Sequence, residues 1–380
     1  MNETKVYADA YQTTFADEGT LLDFLGDRAK KSRWLRKPAK SLRLMPIEKD
    51  VESMDGYSEE DWKDILNDTE KNTRLAIKFR GESYPVRTCA IKTILDRAGV
   101  NGPGLRKLEP SNYAKVVNYC LKVAKGDALI KIADGKVSAV HGGDSSDYSI
   151  LDMREIFEET MQYLELKFPG SRYVEGSGVY DHAVVTAMWE LGGQQELLDT
   201  YRTALKDHGI SDTIIAPALR LTTSDVAASG ANLYPMLLCN NGNRTISLGH
   251  PIKLAHKAGA GIGDFYKNLK MLYSRYTDTI TDMTKLMDIE IRNPVNCIRL
   301  IMRKVGIKKK LINNVADLFE AQYGNAPCTA HDLYFAINEA SFFGACEGMQ
   351  SYALIRLEED ITKVLSLDWS EYDVSGAIKW

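Results

Sequence analysis

The hydrophobic period of this chain becomes continuously helical after Gly263, and that change limits the fold more than any single motif does. Ahead of it, short runs alternate apolar and polar residues or are continuously apolar, and turn residues break them. Behind it, apolar residues recur with the helical period as far as residue 364. Strict alternation of strands and helices would indicate a doubly wound parallel sheet, and this order lacks it. The expected fold class is therefore α+β: a mixed β-sheet and hairpin core with packed helices, followed by a helical C-terminal region. The expected boundaries are a charged N-terminal leader or arm over residues 1–72, the core over 73–262 and the helical region over 263–380.

Local patterns place the elements. In residues 74–87, Leu75, Ile77 and Phe79 alternate with Ala76, Lys78 and Arg80, which reads as strand, turn, strand. Residues 88–98 read as a helix stopped by Gly99, and 111–123 as another, with Ser111 or Asn112 as its cap. The clearest hairpin, over 128–142, turns on Asp134-Gly135, a dipeptide that supplies the positive φ a two-residue turn needs. Residues 149–168 form an amphipathic helical pattern. Further strands are expected over 172–180, 183–190, 214–222, 233–239 and 244–254. Helices are expected over 264–287, 294–305, 312–321, 330–343 and 348–364, with Asn293 and Thr329 as caps and Pro294 at a first helical position.

Composition narrows the function classes. The 380 residues are 44% hydrophobic and 26% charged, which suits a globular chain with a well-buried core. A net charge of −4 excludes a polyanion binder that uses its whole surface; any such site must be a local patch. The six cysteines form no C-x-x-C pair, so buried free thiols in a reducing cytoplasm are expected. The N-terminal residues lack a signal pattern and no apolar run approaches a membrane span, so a cytoplasmic protein with no membrane partner is expected.

Motifs for chemistry are sparse. There is no P-loop and no G-x-S-x-G elbow, and Gly259, Gly261 and Gly263 lack the dinucleotide spacing, so no cofactor is called for and no catalytic residue is identified. The histidines His141, His182, His208, His250, His256 and His331 show no ligand spacing. Polar loops near strand ends leave Asp144, Asp147, Asp225 and His250 as weak metal candidates, the set a metal-dependent phosphodiesterase or nuclease would need.

Charge is segregated at the front. Residues 28–43 carry Arg28, Lys30, Lys31, Arg33, Arg36, Lys37, Lys40 and Arg43 and no acid, with Trp34 among them; residues 48–70 are strongly acidic. This pattern suits a basic arm for phosphate, shielded by an acidic segment that could itself imitate nucleic-acid charge. A second basic run is Arg299, Arg303, Lys304, Lys308, Lys309 and Lys310. Basic residues also recur on the expected strands. Lys78, Arg80, Arg87, Lys131, Arg220 and Arg244 would hold phosphates, Tyr84 or Tyr148 would stack bases, and Asn240 and Asn241 would shape a turn or touch the backbone.

The segments YPVRTCAIKTILDRAG, GLRKLEPSNYAKVVNYCLK, KVSAVHGGDSSDYSILD, LRLTTSDVAASGANLYPMLLCNNG and TAHDLYFAINEAS, in that order, resemble the phage/plasmid-related proteins of unknown function found on bacterial mobile elements. The resemblance spans residues 74–369. It includes the Ser224-Asp225 and Cys239-Asn240-Asn241-Gly242 turns and departs from the pattern at Ala227, where a glycine is expected. It implies a phage or plasmid setting and DNA replication or recombination. The expected function is non-enzymatic binding or annealing of single-stranded DNA by a homo-oligomer. The alternatives are the nuclease above and an interaction protein that acts on a host defence or replication factor.

Overall fold

The Asp134-Gly135 turn shows how local sequence builds this molecule. In a computed structural model both residues have positive φ, 50° and 75°, as a tight hairpin requires. A Cβ at Gly135 would lie 2.8 Å from Ile65 Cδ1, so the turn also needs glycine for packing. The structure describes residues 5–48, 51, 56–79, 81–144, 147–181, 183–193, 195–210, 215–226, 228–239, 244–256 and 259–380.

The elements run β1 (Gln12–Phe15), α1 (Glu18–Lys30), β2 (Ser32–Pro38), β3 (Arg43–Pro46), α2 (Glu59–Lys71), β4 (Leu75–Phe79), β5 (Glu82–Pro85), α3 (Ala90–Ala98), α4 (Pro110–Val123), β6 (Asp127–Ala133), β7 (Lys136–Gly142) and α5 (Met153–Lys167). Then follow β8 (Arg172–Tyr173), β9 (Gly178–Asp181), β10 (Val184–Glu190), α6 (Asp199–Asp207), β11 (Ile215–Ser224), β12 (Ala231–Cys239), β13 (Arg244–Ser247) and β14 (Ile252–Leu254). The chain continues with α7 (Ile262–Lys270), α8 (Leu272–Lys285), α9 (Pro294–Lys304), α10 (Lys309–Tyr323), α11 (Ala330–Cys346) and α12 (Ser351–Thr362). The α+β class is as the sequence indicates.

Two cores organise these elements. In the first lobe, the antiparallel sheets β2-β6-β7 and β3-β4-β5 close with α3 and α4 around Leu44, Ile77, Phe79, Ile94, Val117 and Ile130. A parallel bridge between Val86 and Val137 joins the two sheets. In the second lobe, the sheet β1-β9-β10-β11-β12-β13 carries β8 on β10 and β14 on β12. One of its faces shares a core with α1, α5 and most of the C-terminal helices, through Leu25, Phe157, Trp189, Leu219, Tyr276 and Ile337. On the other face, Met188, Tyr234 and Met236 pack with Ile355 of α12.

Several boundaries differ from those expected. The first 72 residues are not an arm: β1 pairs with β9, β2 pairs with β6 along its whole length, and β3 pairs with β4. Cross-strand partners supplied from about 30 to about 170 residues later stabilise these segments, so no local period reveals them. The C-terminal helices are not a separate region either, because their apolar faces close on the large sheet. The helix expected over 264–287 breaks at Met271 into α7 and α8, α4 begins at Pro110 rather than beyond Ser111, and α6 is additional. Asn293 occupies the N-cap of α9, but its amide donates to Asp373 Oδ1 instead of serving the helix.

Thr329 does cap α11. Its hydroxyl accepts from Asp332 N–H at 3.2 Å, and Asp332 Oδ2 accepts from Thr329 N–H at 2.9 Å. Thr329→Ala is expected to cost about 1 kcal/mol, read as a lower urea midpoint.

Candidate nucleic-acid interface

The β6–β7 hairpin meets the second lobe through charge rather than grease. Lys131 on β6 bonds to Asp225, which follows β11. Arg28, in the last turn of α1, bonds to Asp134 in the hairpin turn, and its Nε lies 3.7 Å from Asp225. Arg87 approaches Asp9 at 3.6 Å and Asp134 at 3.8 Å, and its Nη2 donates to Ala8 O. Lys136 bonds to Asp68 and, at 3.3 Å, to Asp9. Four cations thus face four carboxylates, Asp9, Asp68, Asp134 and Asp225, and all eight side chains except Asp68 are 7% exposed or less. Burial opposes ionisation of Asp225, but Lys131 and Arg28 outweigh it and hold the carboxyl below its ordinary range.

This network overturns part of the expected phosphate site. Arg87 and Lys131 belong to it, Arg220 is buried against Glu358 and the ring of Tyr234, and Arg244 is held by Glu339 at 2.8 Å and by Phe335 O. None of the four presents a free charge to a phosphate. The physical reason is burial: Arg87, Lys131 and Arg220 are covered by packed elements, and a buried cation requires a counter-charge. Strand alternation assigns a residue to a face without saying what covers that face.

The expected stacking tyrosines are also engaged. Tyr84 is buried; its ring stacks on Phe79, its hydroxyl donates to Glu82, and it accepts from Arg33 Nη2 at 3.0 Å. Tyr148 lies between His141, at 3.8 Å and 7°, and His256, at 5.4 Å and 4°. Burial, with His256 and Lys131 nearby, lowers His141 to about 4, and burial lowers His256 as well. Neither tyrosine offers an open face to a base. Arg80, Asn240, Asn241, Ala227 and His182 lie outside the described residues.

The metal candidates do not converge. Asp225 is bound by two cations, Asp144 N–H donates to Asp147 Oδ2 in a surface turn, and His250 is exposed between β13 and β14. Among the described residues, no three of His, Cys, Asp and Glu are grouped to hold a metal ion. The acidic segment is partly structural: Ser58 caps α2, Trp62 and Ile65 are buried, Asp64 accepts from Tyr7 OH and Asp68 serves Lys136. The second basic run is partly occupied, since Trp380 packs under Arg299 and Lys309, and Lys310 pairs with Glu347.

The segment from Lys31 to Arg43, with the facing Lys78, keeps several cations without counter-charges. Lys31, Arg33, Arg36, Lys37, Lys40, Arg43 and Lys78 form no ion pair within 4.0 Å among the described residues. All are exposed except Lys37, which is half-buried. They lie at the end of α1, on β2, the turn after it, β3 and the facing strand β4, where Arg43 is registered against Lys78. Both β2 and β3 are sheet edges. Cations there guard the free backbone against pairing with another chain, and they also present a row of positive charge. Of the expected phosphate set, only Lys78 lies in this row; its other members were placed in the supposed arm. Compared with family models, curated proteins and solved structures, the chain matches none.

Proposed function

We propose that the chain binds single-stranded nucleic acid along the edge formed by β2, its following turn and β3, with Lys78 at the margin. One observation carries this reading: seven cations, six of them within residues 31–43, have no carboxylate partner among the described residues of a protein whose net charge is −4. The interior charges balance one another, so they neither add to nor subtract from this local field. Phosphates displacing counterions along such an edge would supply affinity without sequence preference.

The test is a salt titration of binding to a fluorescent oligonucleotide. Lys37→Ala, Lys40→Ala, Arg43→Ala and Lys78→Ala combined are expected to flatten the log–log salt slope by about 3, because each contact to a single strand contributes about 0.7. Arg244→Ala is expected to leave the slope unchanged, since Glu339 already holds that guanidinium. Absence of binding at low salt would remove the reading.

A further inference from the structure

A cavity of about 200 Å³ lies beside the basic edge, between the lobes. Arg28 of α1, Arg33 and Trp34 of β2, Lys131 of β6, Arg154 of α5 and Asp225 line it. Its volume is about that of six or seven waters in the liquid, room for one small planar group. Two of its charged side chains are buried and incompletely satisfied: Arg28 Nε and Nη2 and Asp225 Oδ1 have no hydrogen-bond partner. The side chains of Arg28 and Asp225 are 2% and 7% exposed, so leaving these atoms unmet has a real energetic cost. Both residues line the cavity, which places their charged groups at its wall. Trp34, half-buried, supplies an aromatic wall, with the Lys131 ammonium 5.4 Å from its ring. Gly26 leaves room for the end of the Arg154 side chain: a Cβ there would lie 2.5 Å from Arg154 Nη1.

We propose that this cavity takes one nucleobase, its polar edge toward Arg28 and Asp225 and its ring against Trp34, with the attached phosphate at Arg33. The inference deepens the strand-binding reading and rests on it for the source of the base. A base in a strand and a free nucleotide present the same edge, so the experiment separates them.

The experiment uses the full chain with two oligodeoxynucleotides of equal length and charge, one with bases and one abasic. The abasic strand is expected to bind about tenfold more weakly, the low end of what base stacking on an aromatic ring contributes. Trp34→Ala is expected to bring the two strands to equal affinity without changing the salt slope. Trp34→Phe, which keeps a ring, is expected to preserve most of the difference and guards against misfolding as the explanation. A free nucleoside monophosphate that competes with the base-bearing strand but not with the abasic one extends the site to free nucleotides. Competition with neither confines it to bases in a strand. Equal affinity of the wild-type protein for both strands, with a steep salt slope, overturns the cavity proposal and leaves strand binding standing. Failure of both strands and of the free nucleotide to bind overturns both.

Discussion

Asp225→Ala is expected to destabilise the protein by about 3–5 kcal/mol, seen as a large fall in the urea midpoint. The carboxylate lies between Lys131 and Arg28 at the junction of the lobes, and its side chain is 7% exposed. Removing it leaves an ammonium buried without a counter-ion, while Arg28 keeps only Asp134. The cost comes from the stranded charge rather than from the bond itself. The double substitution Lys131→Met with Asp225→Leu should therefore recover most of the loss, because it removes the pair together and refills its volume with apolar atoms. A single substitution within about 1 kcal/mol of the wild type would show that the network does not hold the lobes together.

Acidification from pH 6.5 to pH 4 is expected to weaken the fold, with the loss beginning before carboxylates titrate. His141 and His331 are each lowered from 6.5 to about 4, both chiefly by burial. His331 is held by Tyr201 at 2.6 Å, and His141 is stacked on Tyr148. In this window the unfolded chain takes up protons that the folded chain refuses, so stability falls as pH falls. The contribution is fully present above 6.5 and is lost progressively down to about 4. Each histidine accounts for about 3 kcal/mol over the full window, an upper figure set by the size of the shift. The depressed carboxyl of Asp225 adds its own loss only at lower pH, below the ordinary carboxylate value. The check is a series of urea midpoints from pH 7 to pH 4, with His331→Phe and His141→Gln each expected to flatten the curve. An unchanged midpoint across that range would show that these imidazoles are not kept neutral by the fold.

The parts of this protein legible in its sequence are those whose cause lies within a few residues. The Asp134-Gly135 hairpin, the Gly99 stop, the Thr329 cap and the amphipathic α5 each arise from contacts between near neighbours along the chain. β1 and β2 were not legible, because the partners that order them, β9 and β6, lie far along the chain, and β2 carries cations where an apolar alternation would be expected. The candidate site divided in the same way. Residue type and face were readable for Lys131 and Arg220, but burial reversed their role.

The amino-acid sequence by itself determined the α+β class, most helices and hairpins, and a segment of unopposed positive charge over residues 28–43. The tertiary structure alone decided which cations remain free. Charge is a property of each residue, whereas neutralisation depends on which carboxylate folding brings within reach, from Asp225 for Lys131 to Glu358 for Arg220. Those pairings span about a hundred residues and leave no local period, so three-dimensional packing turned the expected strand cations into internal bolts and left the edge of β2 and β3 open.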